Sequence, residues 1–197
     1  MISAIYRRRS IRKFLNTPLS EQDILDILQC GIKAPSSKNR QPWKYIVVQG
    51  DAKEEMLNSF RRGIHREETG PALLPESKRH ITGAKHTVQI LEQAPVVVFV
   101  MNSLGKSPES ELTFEERIYE ICNIQSIGAS IQNMLLAATE KGIGSLWICD
   151  IYFAYPELCE WLDADGTPVA AVAFGYPNEA PAERSRKRIE EVIEWRN

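Results

Sequence analysis

Between Pro95 and Asn102 the chain runs Val96-Val97-Val98-Phe99-Val100-Met101, an apolar stretch with no polar alternation. A strand with one face in water alternates apolar and polar side chains, so a short unbroken run implies a strand covered on both faces. That requirement sets the architecture: a sheet with helices on either side, in three layers. The flanking patterns agree. A first helix is predicted from Ile2 to Arg9, and a second begins at Ser20, whose side chain caps while Asp23 returns the bond. Ile24, Leu25, Ile27, Leu28 and Ile32 give that second helix its buried stripe. Strands follow at Lys44–Val48, Ser145–Cys149 and Val169–Phe174, with helices at Ala52–His65, Lys85–Glu92 and Tyr155–Leu162. Residues 66–85 are rich in charge and broken by Gly70, Pro71, Pro75 and Gly83, which predicts a mobile excursion over the fold.

The longest helix is expected from about Thr113 to Lys141, stopped by Gly142 where a left-handed cap is needed. Its middle carries Ile127, Ile131, Met134, Leu135 and Leu136 with Gly128, Ala129 and Ser130, leaving no clear polar face. Such a helix is expected to be buried, and its small residues suit close approach by another backbone, within one subunit or between two.

The 197 residues suit one domain, residues 1–197, with the 43% hydrophobic and 25% charged content of an ordinary globular protein. A net charge of -2 argues against a nucleic-acid partner, since such proteins carry a basic excess. No stretch is long and apolar enough to cross a bilayer, and the N-terminus lacks the apolar run of a secretory signal, which places the protein in the cytoplasm. Cys30, Cys122, Cys149 and Cys159 have no CxxC spacing, so buried free thiols are expected, with neither a disulfide framework nor a zinc site.

Against that modest overall charge, the N-terminal run Arg7-Arg8-Arg9-Ser10-Ile11-Arg12 stands out, and Arg184-Ser185-Arg186 matches it near the other end. Planar guanidinium forks beside a serine hydroxyl suit a phosphate dianion, although a solvated basic face or an address tag has the same composition. The balance shifts with Ala34-Pro35-Ser36-Ser37-Lys38-Asn39-Arg40-Gln41-Pro42-Trp43, where two prolines stiffen a loop of hydroxyls and amides able to meet a ligand of mixed polarity.

Four segments, Arg8 to Phe14, Ala34 to Trp43, Gly142 to Ile148, and Phe174-Gly175-Tyr176-Pro177, resemble the motifs of the FMN-dependent nitroreductase family in the same order, and the resemblance covers essentially the whole chain. It implies an α+β fold: a three-layer sandwich on a mixed, largely antiparallel sheet, in an interlocked homodimer with FMN at each of two shared clefts. Arg8, Ser10 and Arg12, with Arg184 and Arg186, are then expected to hold the FMN phosphate, and Arg9 is a weaker candidate. Pro35, Ser36, Ser37, Asn39 and Gln41 match the family loop that meets the ribityl chain and the ring edge, partly from the partner subunit. Trp147, Ile148 and Cys149 match the segment whose backbone lies near flavin N5. Gln89, with His86, falls where relatives place side chains toward the pyrimidine end. The implied chemistry is a two-step transfer of hydride from NADH or NADPH, through the flavin, to a nitroaromatic, quinone or similar small acceptor, with no general acid drawn from the protein.

The residues themselves qualify this in places. Trp43, a large aromatic opening a strand, is explained by the core alone. Many relatives carry glycine or a carboxylate where Cys149 stands; with no nearby histidine in the sequence, that thiol reads as an inert small hydrophobe. Fold alone leaves open a flavoenzyme of different chemistry, such as dehalogenation, oxidation or flavin breakdown, and a non-enzymatic binder of a phosphorylated ligand.

Overall fold

A computed structural model describes residues 2–196. In chain order the elements are α1 (Ser3–Arg7), α2 (Glu21–Gly31), β1 (Trp43–Val48), α3 (Ala52–Thr69), α4 (Ile81–Gln93), β2 (Val96–Asn102), α5 (Phe114–Glu140), β3 (Gly144–Ile148), α6 (Tyr155–Leu162) and β4 (Thr167–Gly175). The strands lie in the order β1-β2-β4-β3, and every pairing among them is antiparallel. The parallel contact is an isolated bridge between Ser10 and Ser145.

β2 shows why the apolar run has no alternation. All seven of its residues are buried, Val97, Phe99 and Met101 in one cluster and Val96, Val98 and Val100 in another. The first cluster takes side chains from α3, α4 and α6, and the second from α2 and α5, so the sheet is covered on both faces. Ser20 caps α2 by accepting from the Asp23 amide at 3.1 Å. At the start of α5, Thr113 and Glu116 form a reciprocal capping box, and Gly142 takes a φ of 71° just past its end.

Two expectations are corrected. α5 buries only one side, through residues such as Asn123, Ile127, Ile131 and Met134, while Phe114, Ile118, Ile121 and Ile124 are exposed. A helix apolar all round needs cover on every side, and within the protomer the sheet and α2 cover α5 along one side only. Gly128 faces Trp147, whose Cη2 would lie 3.7 Å from an added Cβ, so one small residue of α5 is explained within the subunit.

Residues 66–85 are ordered by a carboxylate, not left as a mobile excursion. α3 runs on to Thr69, and Glu67, fully buried at 0% exposure, accepts from the amides of Leu73 and Leu74, each at 3.0 Å. Arg66 pairs with both Glu67 and Glu157, tying the turn to α6. Burial alone would raise the Glu67 pKa, but the two amides and Arg66 outweigh it and hold the carboxyl below its ordinary value. α3 also lies against residues 150–154, where a Cβ on Gly63 would sit 2.3 Å from the Ala154 Cα.

Glu67→Ala is expected to cost about 3 kcal/mol in urea unfolding, because two amides and a guanidinium lose a buried partner. With a depressed folded-state pKa, the wild-type advantage is complete above the unfolded carboxyl pKa and fades as pH falls through the folded one. An equal difference between variant and wild type at pH 7 and pH 3 would contradict this account. Gly63→Ala is expected to lower stability by about 1–3 kcal/mol in the same assay through overpacking against a backbone.

Candidate anion-binding site

The two extremities of the chain meet at the edge strand β3. The Ile11 amide donates to the Ser145 carbonyl at 3.0 Å, Leu15 to Tyr176 at 2.9 Å, and Asn178 back to Lys13 at 2.9 Å. A bridge joins Phe14 to Pro177, and Ile11 and Phe14 bury their side chains against the core. The α1 helix ends at Arg7, short of the expected Arg9, because Arg8 already has an extended ψ of 128°. Residues 8–12 therefore do not share a helical face, and alternate side chains can turn the same way.

Between these extremities lies a cavity of about 360 Å³, walled by Arg8, Arg9, Ser10 and Arg12 from one end and by Arg184 and Arg186 from the other. Burial, then the neighbouring guanidiniums of Arg186 and Arg9, pull the Arg8 pKa below its ordinary value. Arg7 turns away to pair with Glu140 at 2.6 Å. Arg9 is largely committed, donating to the carbonyls of Tyr6 and Arg8 and to Glu183 at 3.2 Å. The Arg12 amide donates to Glu179, an acidic residue that sequence reading missed and no local motif signals. A neighbouring cavity of about 390 Å³ continues past Arg8, Ser10 and Arg186 to Gln132 and Trp147, whose ring is 38% exposed.

The proline-bracketed loop lies elsewhere in the protomer. The Ser37 amide donates to Ser126 Oγ on α5 at 3.3 Å, and Ser36 Oγ accepts from the Gln41 amide at 3.0 Å. Lys38, Asn39 and Gln41 all have positive φ, between 48° and 54°. Non-glycine residues in that region each cost about 1–3 kcal/mol, a strain that concentrates at ligand sites. Pro35 is exposed, and Trp43 packs partly buried against the α2–α5 cluster, as the core reading requires.

Ile148 is buried in β3 and Cys149 is exposed just beyond it. Burial and then Asp150 raise the Cys149 pKa, keeping it a thiol. None of the four cysteines is buried, contrary to expectation: Cys30 and Cys149 are exposed and the other two partly so, because they fall at element ends and outer helix faces. Gln89 is not brought to the other candidates. It bonds His86 at 3.3 Å and lines a groove between α3 and α4. The loop 103–112 walls, with Arg117, Tyr152 and Tyr155, a cavity of about 490 Å³ that nothing in the sequence motifs signals. Among the described residues there is no cluster of metal-ligating side chains, and no helix is long and apolar enough to cross a membrane.

A basic cavity beside an antiparallel sheet in three layers defines an α+β architecture, and comparisons with known proteins place it further. The family model described as Nitroreductase family matches residues 5–176. A Bacillus subtilis protein that carries the name "Putative NAD(P)H nitroreductase YfhC" is 30% identical, over 94% of this chain and 88% of its own length. A crystal structure of a nitroreductase-type protein from Desulfovibrio desulfuricans in complex with FMN is 26% identical, with a TM-score of 0.73 over 99% of this chain and 95% of that one. A BluB-like flavoprotein from Clostridium difficile is 25% identical, with a TM-score of 0.75 over 99% and 98%. The chain belongs to the nitroreductase family.

Because the Arg8 guanidinium faces other cations, Arg186→Gln is expected to raise the thermal midpoint of protein stripped of small anions. Inorganic phosphate should stabilise the wild type more than the variant. A variant that melts lower without phosphate, or gains as much from it, would contradict a repulsive, anion-seeking cavity.

Proposed function

We propose that the protein is a cytoplasmic, homodimeric FMN-dependent oxidoreductase of one domain that uses NADH or NADPH to reduce a nitroaromatic, quinone or similar small acceptor in two half-reactions. The observation that carries this reading is the cavity built from both chain ends, where several guanidiniums converge with too few internal counter-charges. A phosphate monoester of roughly -1.5 to -2 charge fits that deficit. Arg8, Ser10 and Arg12, joined by Arg184 and Arg186, hold the FMN phosphate, while Arg9, tied to Glu183, contributes less. When bound, FMN supplies the hydride chemistry, taking two electrons from the nicotinamide and passing them on.

The protein's part is to orient and enclose. Trp147 borders the same cavity system, and the backbone of Ile148 and Cys149 continues from it as the ring's nearest wall. Within one protomer the Ser36–Gln41 loop meets α5 at Ser126, whereas the arginine cavity reaches α5 at Gln132, about 9 Å further along at 1.5 Å per residue. We assign the loop to the site of a second copy. The exposed α5 residues Phe114, Ile118, Ile121 and Ile124, with Ile5 and Tyr6 of α1, supply the apolar surface such a pairing needs. The acceptor is a small molecule, with neither nucleic acid nor membrane as a partner, and it takes its protons from solvent after reduction.

Purified protein is expected to show oxidised-flavin absorbance that bleaches anaerobically with NADH or NADPH and returns on adding a nitroaromatic or quinone. Arg8→Ala combined with Arg12→Ala should release the flavin, and Cys149→Ser should keep both flavin and turnover. Colour that does not bleach would replace the reductase by another flavoenzyme, and a colourless protein would leave only a binder of some other phosphorylated ligand.

A further inference from the structure

The strained loop carries two cations that the flavin reading leaves unused. Lys38 Nζ lies 5.3 Å and the Arg40 guanidinium 4.7 Å from the centroid of one ring, that of Tyr119 on α5. Among the described residues neither cation forms an ion pair or a side-chain hydrogen bond. Glu115 accepts from the Tyr119 hydroxyl at 3.1 Å. Both positive charges thus sit within about a Debye length of each other, roughly 10 Å at 0.1 M salt, around a single ring. Each cation–π contact at an exposed site returns less than the positive φ angles of Lys38, Asn39 and Gln41 cost the loop. The arrangement is accounted for if an anion completes it.

The flavin phosphate already has Arg8, Arg12, Arg184 and Arg186 for partners, and its cavity reaches α5 at Gln132, about 20 Å along the helix from Tyr119 within one protomer, so a different anion is called for. Two cations match a dianionic phosphate monoester better than a diester, which carries a single charge per phosphate. Of the two nicotinamide dinucleotides, only the phosphorylated one bears a monoester, at the adenosine 2′ position. We propose that Lys38 and Arg40, held against Tyr119, bind the 2′-phosphate of NADPH and make it the preferred hydride source. Lys38 and Arg40 are the specificity-determining residues, and Tyr119 is a positioning residue. The inference rests on the NAD(P)H oxidoreductase function proposed above.

Calorimetric titration of the purified, full-length protein tests the binding independently of turnover. NADP+, which carries the monoester, should bind roughly tenfold or more tightly than NAD+, which carries none, since one charge-assisted pair contributes at least 1.5 kcal/mol. Inorganic phosphate should compete weakly. In Lys38→Gln combined with Arg40→Gln, which keeps polar stems on the loop, the two nucleotides should bind alike, and Tyr119→Leu should lose part of the preference. In turnover the double variant should raise KM for NADPH by a similar factor and leave KM for NADH and kcat unchanged. Equal binding of the two nucleotides by the wild type, competition by inorganic phosphate as strong as by NADP+, an unaltered preference in the double variant, or an equal rise in KM for both dinucleotides would each overturn the proposal. If neither dinucleotide bleaches the wild-type flavin, the reductase reading fails, and the calorimetric comparison still decides the phosphate site.

Discussion

The arrangement depends on the capture of both chain ends along the β3 edge. Like charges would keep residues 8–12 and 184–186 apart, yet backbone bonds from Ile11 to Ser145, Leu15 to Tyr176 and Asn178 to Lys13 lay the N-terminal segment between β3 and the start of the C-terminal one. Buried Ile11 and Phe14 anchor it, each contributing roughly 1.5–3 kcal/mol. Exposed guanidiniums repel one another by far less in water. Hydrophobic burial thus imposes an electrostatic arrangement that a bound anion would relieve, and the same three hydrogen bonds that close the sheet edge also build the cavity.

α5 then organises everything the cavity lacks. Its sheet-facing side completes one layer of the core, its C-terminal half borders the arginine cavity, and its N-terminal half carries the Ser36–Gln41 loop and the Tyr119 ring. One helix presents two basic sites too far apart to serve one ligand within a protomer, and between them it leaves apolar residues exposed. A second copy packed on that side would resolve both features at once, covering the apolar surface and bringing one loop toward the other cavity.

Much of this was legible in the sequence, where one local pattern had one physical meaning. The unbroken run in β2 could only be covered on both faces, Ser20 with Asp23 marked the start of α2, and Gly142 the end of α5. The arginine clusters announced an anion, and the structure brings them to one cavity. Reading failed where a tertiary partner reversed a local signal. The prolines and charges of 66–85 looked like a mobile stretch because nothing local shows that Glu67 is buried and bonded to Leu73 and Leu74. The apolar surround of α5 predicted burial, whereas Phe114, Ile118, Ile121 and Ile124 lie exposed in the protomer. Exposure of Cys149 and the outward turn of Gln89 follow from where β3 stops and how α4 rotates, which periodicity leaves free by a residue or two. Lys38 and Arg40 meet a ring far along the chain, that of Tyr119, a contact that no local pattern signals.

The central claim is that both chain ends recognise one phosphate, and the most direct measurement compares FMN with riboflavin, which lacks that group, by quenching of flavin fluorescence. The wild type should bind FMN at least about a hundredfold more tightly, as two or more charge-assisted pairs require. Replacing Arg184 and Arg186 together by glutamine should erase most of that preference while riboflavin binding stays unchanged. Equal affinity for the two flavins in the wild type, or a preference that survives the loss of both C-terminal arginines, would contradict the account.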